Sequence, residues 1–242
     1  MRPIFITGTD TDAGKTYSAV ALVHALRAQQ QSCRVLKPVA AGAEPVITES
    51  GPQLRNTDAL QLLYASCEQS ATQGLSNITA NAYWQANPYC FAPPIAPHIA
   101  AQMVAETVTV AKLKAHYDNL PDDANWCVIE GAGGWLVPIN EQELLADFAQ
   151  ALNAPIILVV GMKLGCLNHA LLTVADIERR GLMLAGWIAN STQPEPMPHY
   201  AENLATLKQR IAAPFLAQLT FAPDAEPTQY AAAFNLQPLG AY

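Results

Sequence analysis

Residues 5–16 read FITGTDTDAGKT, and no other stretch constrains the fold of this chain as strongly. An apolar, strand-like run enters a loop bounded by Gly8 and Gly14, and helical apolar spacing follows the loop. This order of strand, glycine loop and helix is typical of a phosphate-binding loop, in which backbone N–H groups face phosphate oxygens. Lys15 would neutralise the outer phosphates, and the Thr16 hydroxyl would bind Mg²⁺. The loop is one residue longer than the common form, so an ordinary glycine turn stays open as the alternative.

Apolar runs of strand length recur along the chain and alternate with helical patterns. This alternation predicts an α/β fold with a mainly parallel central sheet covered by helices on both faces. The predicted strands are 3–7, 33–39, 126–129, 155–160, 184–189 and, more weakly, 215–219. The predicted helices are 15–29, 57–64, 97–105, 110–120, 143–152, 168–180 and 199–211. Segments 43–53, 87–97 and 194–198 are predicted to be loops within one domain that spans residues 1–242.

The charge balance limits the partners of this chain. It has 13 Lys and Arg against 20 Asp and Glu, for a formal net charge of −7. That balance argues against a broad surface for nucleic acid or for anionic membranes, so no partner of either kind is expected and an anionic ligand must be met locally. The longest apolar run, 154–162, is too short to cross a bilayer.

Cysteine usage and the start of the chain bear on localisation. The five cysteines, at positions 33, 67, 90, 127 and 166, are widely spread and form no C-x-x-C pair. This pattern indicates neither a disulfide framework nor a zinc site, and it is typical of a reducing compartment. The first predicted strand begins at Pro3, which leaves no room for an export signal. A cytoplasmic location is therefore expected.

Charged and polar residues stand at the carboxyl ends of the predicted strands. In an open parallel sheet this edge binds ligands, so residues distant in sequence are predicted to converge on one crevice. The residues in question are Lys15 and Thr16 after the first strand, Lys37 at the end of the second, and Glu130, Gly161 and Asn190 at the ends of the next three.

Three charged residues are candidates for chemistry in this crevice. Glu130 stands between a buried strand and a glycine-rich turn, where it is a candidate Mg²⁺ ligand or else part of an ordinary turn. Lys37 lies in an apolar run, where a charge is costly unless it meets an anion; the alternative is a lysine that reaches solvent from a strand end. Asp58 opens a predicted helix, and by residue type alone an ordinary first-turn carboxylate is the favoured interpretation.

Other polar residues have less defined roles. Asp10 and Asp12 would repel phosphates, so they are predicted to hold the loop shape, accept from substrate amines or face a partner subunit. His98 is more readily interpreted as a capping or core histidine than as a general base. The glycine-to-helix transition at 165–168 offers free N–H groups that suit a carboxylate.

Taken together, eight segments resemble the dethiobiotin synthetase family, the ATP-dependent enzymes that carboxylate and cyclise the diamine precursor in biotin synthesis. The resemblance covers nearly the whole chain, and its specificity lies in the order and spacing of the segments. It implies a three-layer, P-loop NTPase-like domain. The matching segments are 7–16, 37–40, 54–59, 87–89, 97–100, 130–135, 159–169 and 186–190.

The resemblance implies a role for each site residue. ATP would contact Asp12, Ala13, Gly14, Lys15, Thr16, Tyr17, Asp58, Glu130, Gly131, Ala132, Gly133, Asn190, Thr220, Phe221 and Ala222, with Asn190 at the adenine. Mg²⁺ would be held by Thr16, Asp58 and Glu130. Catalysis would fall to Lys37, Lys15 and Thr11. The substrate would contact Thr11, Lys37 and Ala41 and, across a homodimer interface, Cys166, Leu167 and Asn168.

The reaction implied by the resemblance joins 7,8-diaminononanoate, CO₂ and ATP. One amine would become a carbamate, the γ-phosphate would convert it to a carbamic-phosphoric mixed anhydride, and the second amine would close the ring to give dethiobiotin, ADP and phosphate. Lys15, Lys37 and Mg²⁺ would offset the repulsion between the two anionic groups.

The chain departs from the family pattern at two positions. Ala41 replaces a hydroxyl residue, and Asp12 stands where glutamate is frequent.

Two other classes of protein are alternatives. A P-loop switch ATPase usually carries an additional lysine early in the loop, and segment 8–12 has none. An amide-forming synthetase of the cobyrinate type normally brings a glutamine-hydrolysing domain, for which 242 residues leave no room.

Overall fold

A six-stranded parallel sheet forms the centre of the computed structural model, which describes residues 1–48, 51–67, 78–222 and 227–241. In chain order the strands are β1 (Arg2–Gly8), β2 (Cys33–Leu36), β3 (Val39–Ala41), β4 (Glu44–Thr48), β5 (Gly51–Arg55), β6 (Tyr89–Phe91), β7 (Trp126–Glu130), β8 (Ile156–Gly161), β9 (Leu184–Asn190) and β10 (Phe215–Leu219). The central sheet has the order β10-β9-β8-β1-β7-β2, so the strand that leads into the glycine loop lies in its middle.

Helices flank this sheet. They are α1 (Lys15–Ala28), α2 (Thr57–Ser66), α3 (Ala80–Ala86), α4 (Pro97–Met103), α5 (Val110–Asp118), α6 (Leu145–Ala151), α7 (Cys166–Arg179) and α8 (Tyr200–Arg210), with 3₁₀ turns at Thr11–Ala13, Pro227–Ala233 and Gln237–Ala241. Within the described residues, no helix is long and apolar enough to span a membrane.

Successive side chains of β1 pack into the hydrophobic cores on opposite faces of the sheet. Ile4 and Ile6 pack with α1 and α2 on one face, whereas Phe5 packs with Phe148 of α6 on the other. A further cluster around Trp187 fills the space under α7 and α8. Because each strand is buried from both sides, its sequence is a continuous apolar run. The prediction of a three-layer α/β fold with a parallel central sheet is confirmed.

The predicted second strand, 33–39, is wrong in its extent. Regular pairing of β2 with β7 stops at Leu36, and the chain then crosses to a separate two-stranded parallel sheet in which β3 pairs with β6. Pro38 lies between the two strands, and proline has no N–H to continue a ladder. The break leaves Lys37 just beyond the end of β2, at the edge where the central strands end.

The loop prediction for 43–53 is also wrong, although residues 49 and 50 lie outside the described residues. Strands β4 and β5 form an antiparallel hairpin with Pro45 opposite Leu54 and Ile47 opposite Pro52. A proline in each strand argued for a loop, but a two-stranded hairpin outside the main sheet leaves room for residues that lack an N–H. The sequence reading also missed α3, and strand β6 within 87–97.

Candidate active site

The carboxyl ends of the central strands open into a cleft of about 950 Å³. Of the strand-end residues predicted to converge there, Lys15, Thr16, Lys37 and Glu130 line the cleft, whereas Asn190 lines an adjoining pocket and Gly161 lines neither. Among its lining residues are Thr11, Asp12, Gly14, Lys15, Thr16 and Tyr17 from the loop and α1, Lys37, Ala41 and Asp58 from the neighbouring segments, and Glu130, Ala132 and Gly133 at and after the end of β7.

The glycine loop is shaped by a 3₁₀ turn over Thr11–Ala13. Asp10 caps this turn, because its Oδ1 accepts the Thr11 N–H at 2.8 Å. Gly14 then takes a left-handed conformation with φ of 80° and begins α1. A Cβ on Gly14 would lie 2.0 Å from Nδ2 of Asn190, so both the backbone angle and the packing require glycine.

Lys15 and Lys37 are both buried, at 4% exposure each. The Lys15 ammonium donates to the carbonyl oxygens of Asp10 and Thr11, both at 3.0 Å, so it lies against its own loop. Burial, followed by repulsion from Lys37, lowers the pKa of Lys15 to about 8. Both cations line the same cleft, and the charge of Lys37 disfavours protonation of Lys15.

Lys37 has carboxylate partners. Its Nζ donates to Oε1 of Glu130 at 2.6 Å and to Oδ2 of Asp58 at 3.0 Å. Burial acts to lower the pKa of Lys37, but the two carboxylates outweigh it, and the pKa lies above its ordinary value. The Lys37 side chain is therefore held as an ammonium between two carboxylates, neither of which is a neighbour in sequence.

The three residues expected to hold Mg²⁺ form a set of hard oxygen donors. Thr16 Oγ1 donates to Oε1 of Glu130 at 2.8 Å. Glu130 is 0% exposed, and its Oε2 has no hydrogen-bond partner among the described residues. Burial acts to raise the pKa of Asp58, but the Lys37 ammonium outweighs it and keeps that pKa below its usual range.

This donor set fits Mg²⁺ in character and number. An unpartnered buried carboxylate oxygen, a second ionised carboxylate and a hydroxyl are the groups that Mg²⁺ uses beside substrate phosphates and water. In the described ranges no three His, Cys, Asp or Glu residues converge on one point. Bound phosphates and water would accordingly have to complete the coordination shell.

A smaller pocket of about 240 Å³ adjoins the cleft and shares Gly14, Tyr17 and Thr192 with it. Asn190 lines this pocket, and its Nδ2 donates to the Ala13 carbonyl at 2.9 Å. The other lining residues are Ser191 and the three residues after β10, namely Thr220, Phe221 and Ala222. The structure thus brings the residues expected at the adenine together beside the glycine loop.

Some expected site residues do not line either cavity. Ala13 is buried and offers its carbonyl to Asn190, while the Gly131 N–H donates to the Ile6 carbonyl at 2.9 Å. His98 lies beside a different cavity.

The start of α7 also lies outside both cavities, so Cys166, Leu167 and Asn168 are not brought to the cleft. The N-cap of the helix is Gly165, with φ of 93°, and because glycine has no side chain the first turn lacks a side-chain cap. The Cys166 N–H donates to the Lys163 carbonyl at 2.9 Å, so it is not among the free N–H groups that the sequence suggested.

The sequence reading missed an apolar side of the cleft. Its signal was the proline-rich stretch after Phe91, which was interpreted only as a loop. Residues of this side are Pro94, Ile95, Pro97, Leu136, Val137 and Pro138. It also missed the ion pair at 2.5 Å between Lys163 and Asp10, which joins the loop after β8 to the glycine loop.

Comparisons with known proteins agree with this geometry. The AAA domain family matches residues 2–229. The ATP-dependent dethiobiotin synthetase BioD of Aromatoleum aromaticum is 44% identical over 235 residues, which is 97% of each chain. The protein of the same name from Pseudomonas aeruginosa is 45% identical over 241 residues, which is 99% of each chain.

A solved structure shows the same fold. The septum site-determining protein MinD from Pyrococcus horikoshii, complexed with Mg-ADP, aligns with a TM-score of 0.52 at 15% identity, over 95% of this chain and 86% of that chain. The distant structural likeness shows a P-loop NTPase fold alone, whereas the sequence identity over nearly the full length is specific to one group of enzymes. The chain therefore belongs to the family of ATP-dependent dethiobiotin synthetases.

Proposed function

We propose that the protein uses ATP and CO₂ to carboxylate and cyclise 7,8-diaminononanoate, giving dethiobiotin, ADP and phosphate through a carbamate and a carbamic-phosphoric mixed anhydride. Family membership supports the overall reaction. The observation that carries the finer proposal is the meeting of two buried ammonium groups, those of Lys15 and Lys37, with Glu130 and Asp58 at one rim. Such a rim suits a reaction that must bring two anions within bonding range.

The cations have different proposed tasks. Lys15, at the start of α1, neutralises the outer phosphates of ATP, together with loop N–H groups. Lys37 stabilises the charge that develops as the carbamate oxygen attacks the γ-phosphorus. Thr11, which also lines the cleft, donates to the carbamate.

Thr16, Asp58 and Glu130 are the proposed Mg²⁺ ligands. When bound, the ion neutralises charge on the phosphate oxygens of ATP. The unpartnered Oε2 of Glu130 supports this assignment, because a buried carboxylate oxygen without a donor is otherwise costly. Lys37 compensates the two carboxylates in the structure as it stands.

The two cavities suggest how the larger ligands divide the space. The smaller pocket, with Asn190 and Phe221, is the proposed adenine site. The apolar side of the cleft, which includes Ile95 and Leu136, suits the aliphatic chain of the diamine. Ala41 lines the cleft as well, but it has no hydroxyl to offer the substrate.

A homodimer is part of the proposal, with the first turn of α7 receiving the substrate carboxylate bound in the partner subunit. Leu164, just before this helix, is 92% exposed, and Leu172 within it is also exposed. Light scattering after size exclusion tests the dimer. Leu164→Glu should weaken the dimer and lower turnover, and a monomeric wild-type protein with full activity would contradict the proposal.

We also propose a domain organisation and a cellular location. A single domain over residues 1–242 is supported by the C-terminal residues Phe234, Leu236 and Leu239, which pack in the same core as α1. A cytoplasmic location is supported by the five cysteines, which are all free thiols.

The decisive experiment incubates the purified protein with diaminononanoate, bicarbonate and Mg-ATP, and follows ADP and dethiobiotin by mass spectrometry. ADP and dethiobiotin should appear in equal amounts, and both should depend on the diamine. Phosphate release at the same rate without the diamine would overturn the proposal and favour a switch ATPase.

A further inference from the structure

A closed ring of hydrogen bonds joins the main chain at Lys37 to the helix that carries Asp58. Three buried side chains form it, those of Asn56, Tyr83 and Asn87. None of the three has a role in the function proposed above. Each bond of the ring is internal to the protein, so what it can affect is the relative placement of the two charged groups.

Asn87 and the end of α3 hold the main chain of Lys37. The Asn87 Nδ2 donates to the Lys37 carbonyl at 2.7 Å and to the Tyr89 carbonyl at 3.1 Å. The Lys37 N–H donates to the Ala86 carbonyl at 2.7 Å. Both main-chain groups of Lys37 are thus bonded where β2 has ended, and the side chain leaves from a fixed backbone.

Tyr83 is the centre of the ring. Its hydroxyl donates to Oδ1 of Asn87 at 2.9 Å and accepts the main-chain N–H of Asn56 at 2.6 Å. Burial, and after it the hydrogen bond with the Cys90 thiol, raise the pKa of Tyr83, so the hydroxyl keeps its proton. The Arg55 guanidinium lies over the tyrosine ring, with Cζ 3.9 Å from its centroid.

Asn56 connects Tyr83 to the helix turn that carries Asp58. It is the N-cap of α2, where its Oδ1 accepts the Ala59 N–H at 3.2 Å and its carbonyl accepts the Leu60 N–H at 3.1 Å. Asp58 lies in the turn that these bonds define. The ion pair between Asp58 and Lys37, at 3.0 Å, closes the ring.

We propose that Tyr83 and Asn87 are positioning residues, which set where the Lys37 ammonium and the Asp58 carboxylate stand relative to each other. Neither residue is among those lining the cleft, so each acts through the groups it holds. The kinetic part of the test rests on the proposed reaction, whereas the metal-binding part rests only on the proposed Mg²⁺ site at Thr16, Asp58 and Glu130.

Tyr83→Phe removes one oxygen and leaves the ring of the side chain in place. The main-chain N–H of Asn56 and the side-chain Oδ1 of Asn87 then lack their buried partner, and kcat should fall about tenfold with little change in the KM for the diamine. The second readout is Mn²⁺ affinity of the ADP-bound protein, measured by electron paramagnetic resonance without turnover. It should weaken by a similar factor, since Asp58 is no longer held.

Tyr64→Phe is the matched control. Tyr64 lies on the same helix as Asp58, and its buried hydroxyl has no hydrogen-bond partner within the described part of the chain. This variant should keep wild-type kcat and Mn²⁺ affinity. If Tyr83 had only a structural role, Tyr83→Phe would lower the unfolding temperature and leave both values unchanged in the folded protein, which would overturn the inference.

Asn87→Ala provides a second variant. If both residues act through one ring, combining Asn87→Ala with Tyr83→Phe should lower kcat and Mn²⁺ affinity no further than the worse single change. Fully additive losses would contradict a shared ring. A wild-type protein that made no dethiobiotin would refute the proposed function, while the Mn²⁺ comparison would still decide the positioning role.

Discussion

The glycine loop and the end of β2 each hold one buried lysine, but they hold it in opposite ways. Lys15 lies against neutral carbonyl oxygens of its own loop, and its pKa falls to about 8. Lys37 lies against the carboxylates of Glu130 and Asp58, and its pKa rises. The two side chains are equally buried, so burial alone does not explain the difference.

The difference shows that the charge of the hydrogen-bond partners, more than the extent of burial, sets the pKa of a buried lysine. Carbonyl dipoles stabilise the Lys15 ammonium weakly, so exchanging these hydrogen bonds for bonds to a phosphate costs little free energy. The carboxylates of Glu130 and Asp58 stabilise the Lys37 ammonium strongly and raise its pKa. The comparison supports the proposed division, in which Lys15 binds ATP and Lys37 acts on the reacting groups, and the following changes test it.

Lys37→Ala should have the largest effect. Loss of an electrostatic group that acts mainly in the transition state lowers kcat by about 10²–10³-fold. ATP affinity should change little, because Lys15 and the loop remain. Steady-state kinetics and calorimetric titration with ADP separate the two effects. Lys114→Ala, which breaks an exposed ion pair with Asp118, is the control and should leave both unchanged.

A second substitution at this position, Lys37→Met, tests whether the stability of the protein depends on pairing Glu130 with a cation. Removing one member of a buried ion pair costs about 3–5 kcal/mol of unfolding free energy, whereas removing both costs much less. Lys37→Met should therefore be less stable in urea than the double change Lys37→Met with Glu130→Gln. Normal turnover in Lys37→Ala would remove this lysine from the mechanism.

Lys15→Ala should act on binding instead. Hydrogen bonds to charged groups contribute about 1.5–3 kcal/mol, so ADP affinity should fall about 10- to 100-fold. Calorimetry in the absence of substrate measures this directly. If ADP affinity in Lys15→Ala matched that of Lys37→Ala, the division of tasks between the two lysines would be wrong.

A pH dependence of nucleotide binding should follow from Lys15. Its pKa is about 8 in the free protein, and a bound phosphate favours the charged form. Above that pH, binding must therefore take up a proton, and metal-free ADP affinity should fall by up to about tenfold per pH unit. Calorimetry at pH 9 in buffers of different ionisation enthalpy counts the proton. Proton uptake that persists in Lys15→Met would assign it to another group.

The smallest effect is expected at the half-buried pair between Lys163 and Asp10. The Lys163 ammonium and then the Thr11 N–H keep the pKa of Asp10 below its usual range, but both side chains are partly open to water. Lys163→Ala should therefore reduce the unfolding free energy by only about 0.2–1 kcal/mol. Urea denaturation measures this change. A loss as large as that of Lys37→Met would mean that solvent does not screen the pair.

Patterns within one strand and the following loop or helix were predictable. The 5–16 segment, the six strands of the central sheet and most helices were anticipated, since a buried parallel strand and an amphipathic helix each leave a local signature. The region between β2 and α4 was not. There, β3 pairs with β6, which lies about fifty residues further along the chain. The hairpin of β4 and β5 was not predicted because each strand contains a proline, which is typical of loops.

The residues of the candidate site also fall into those that the sequence predicted and those that it did not. Residue types at strand ends pointed to Lys15, Lys37, Glu130 and Asn190, and the resemblance added the metal role of Asp58 and the adenine role of Asn190. Nothing in the sequence indicated that Tyr83 would bond to both Asn56 and Asn87, because these contacts depend on how α3 packs. The Lys163 pair left no signal either, and the apolar side of the cleft left only the proline-rich stretch after Phe91, which predicts a loop.

The sequence by itself determined the phosphate-binding loop, the α/β class and the family, because each rests on residue order over short spans. Only the tertiary structure decided that Lys37 meets Glu130, 93 residues away, and that Lys15 meets carbonyls instead. Protonation follows from burial and from the nearest charges, and both are set by the register of strands that the chain brings together from distant positions.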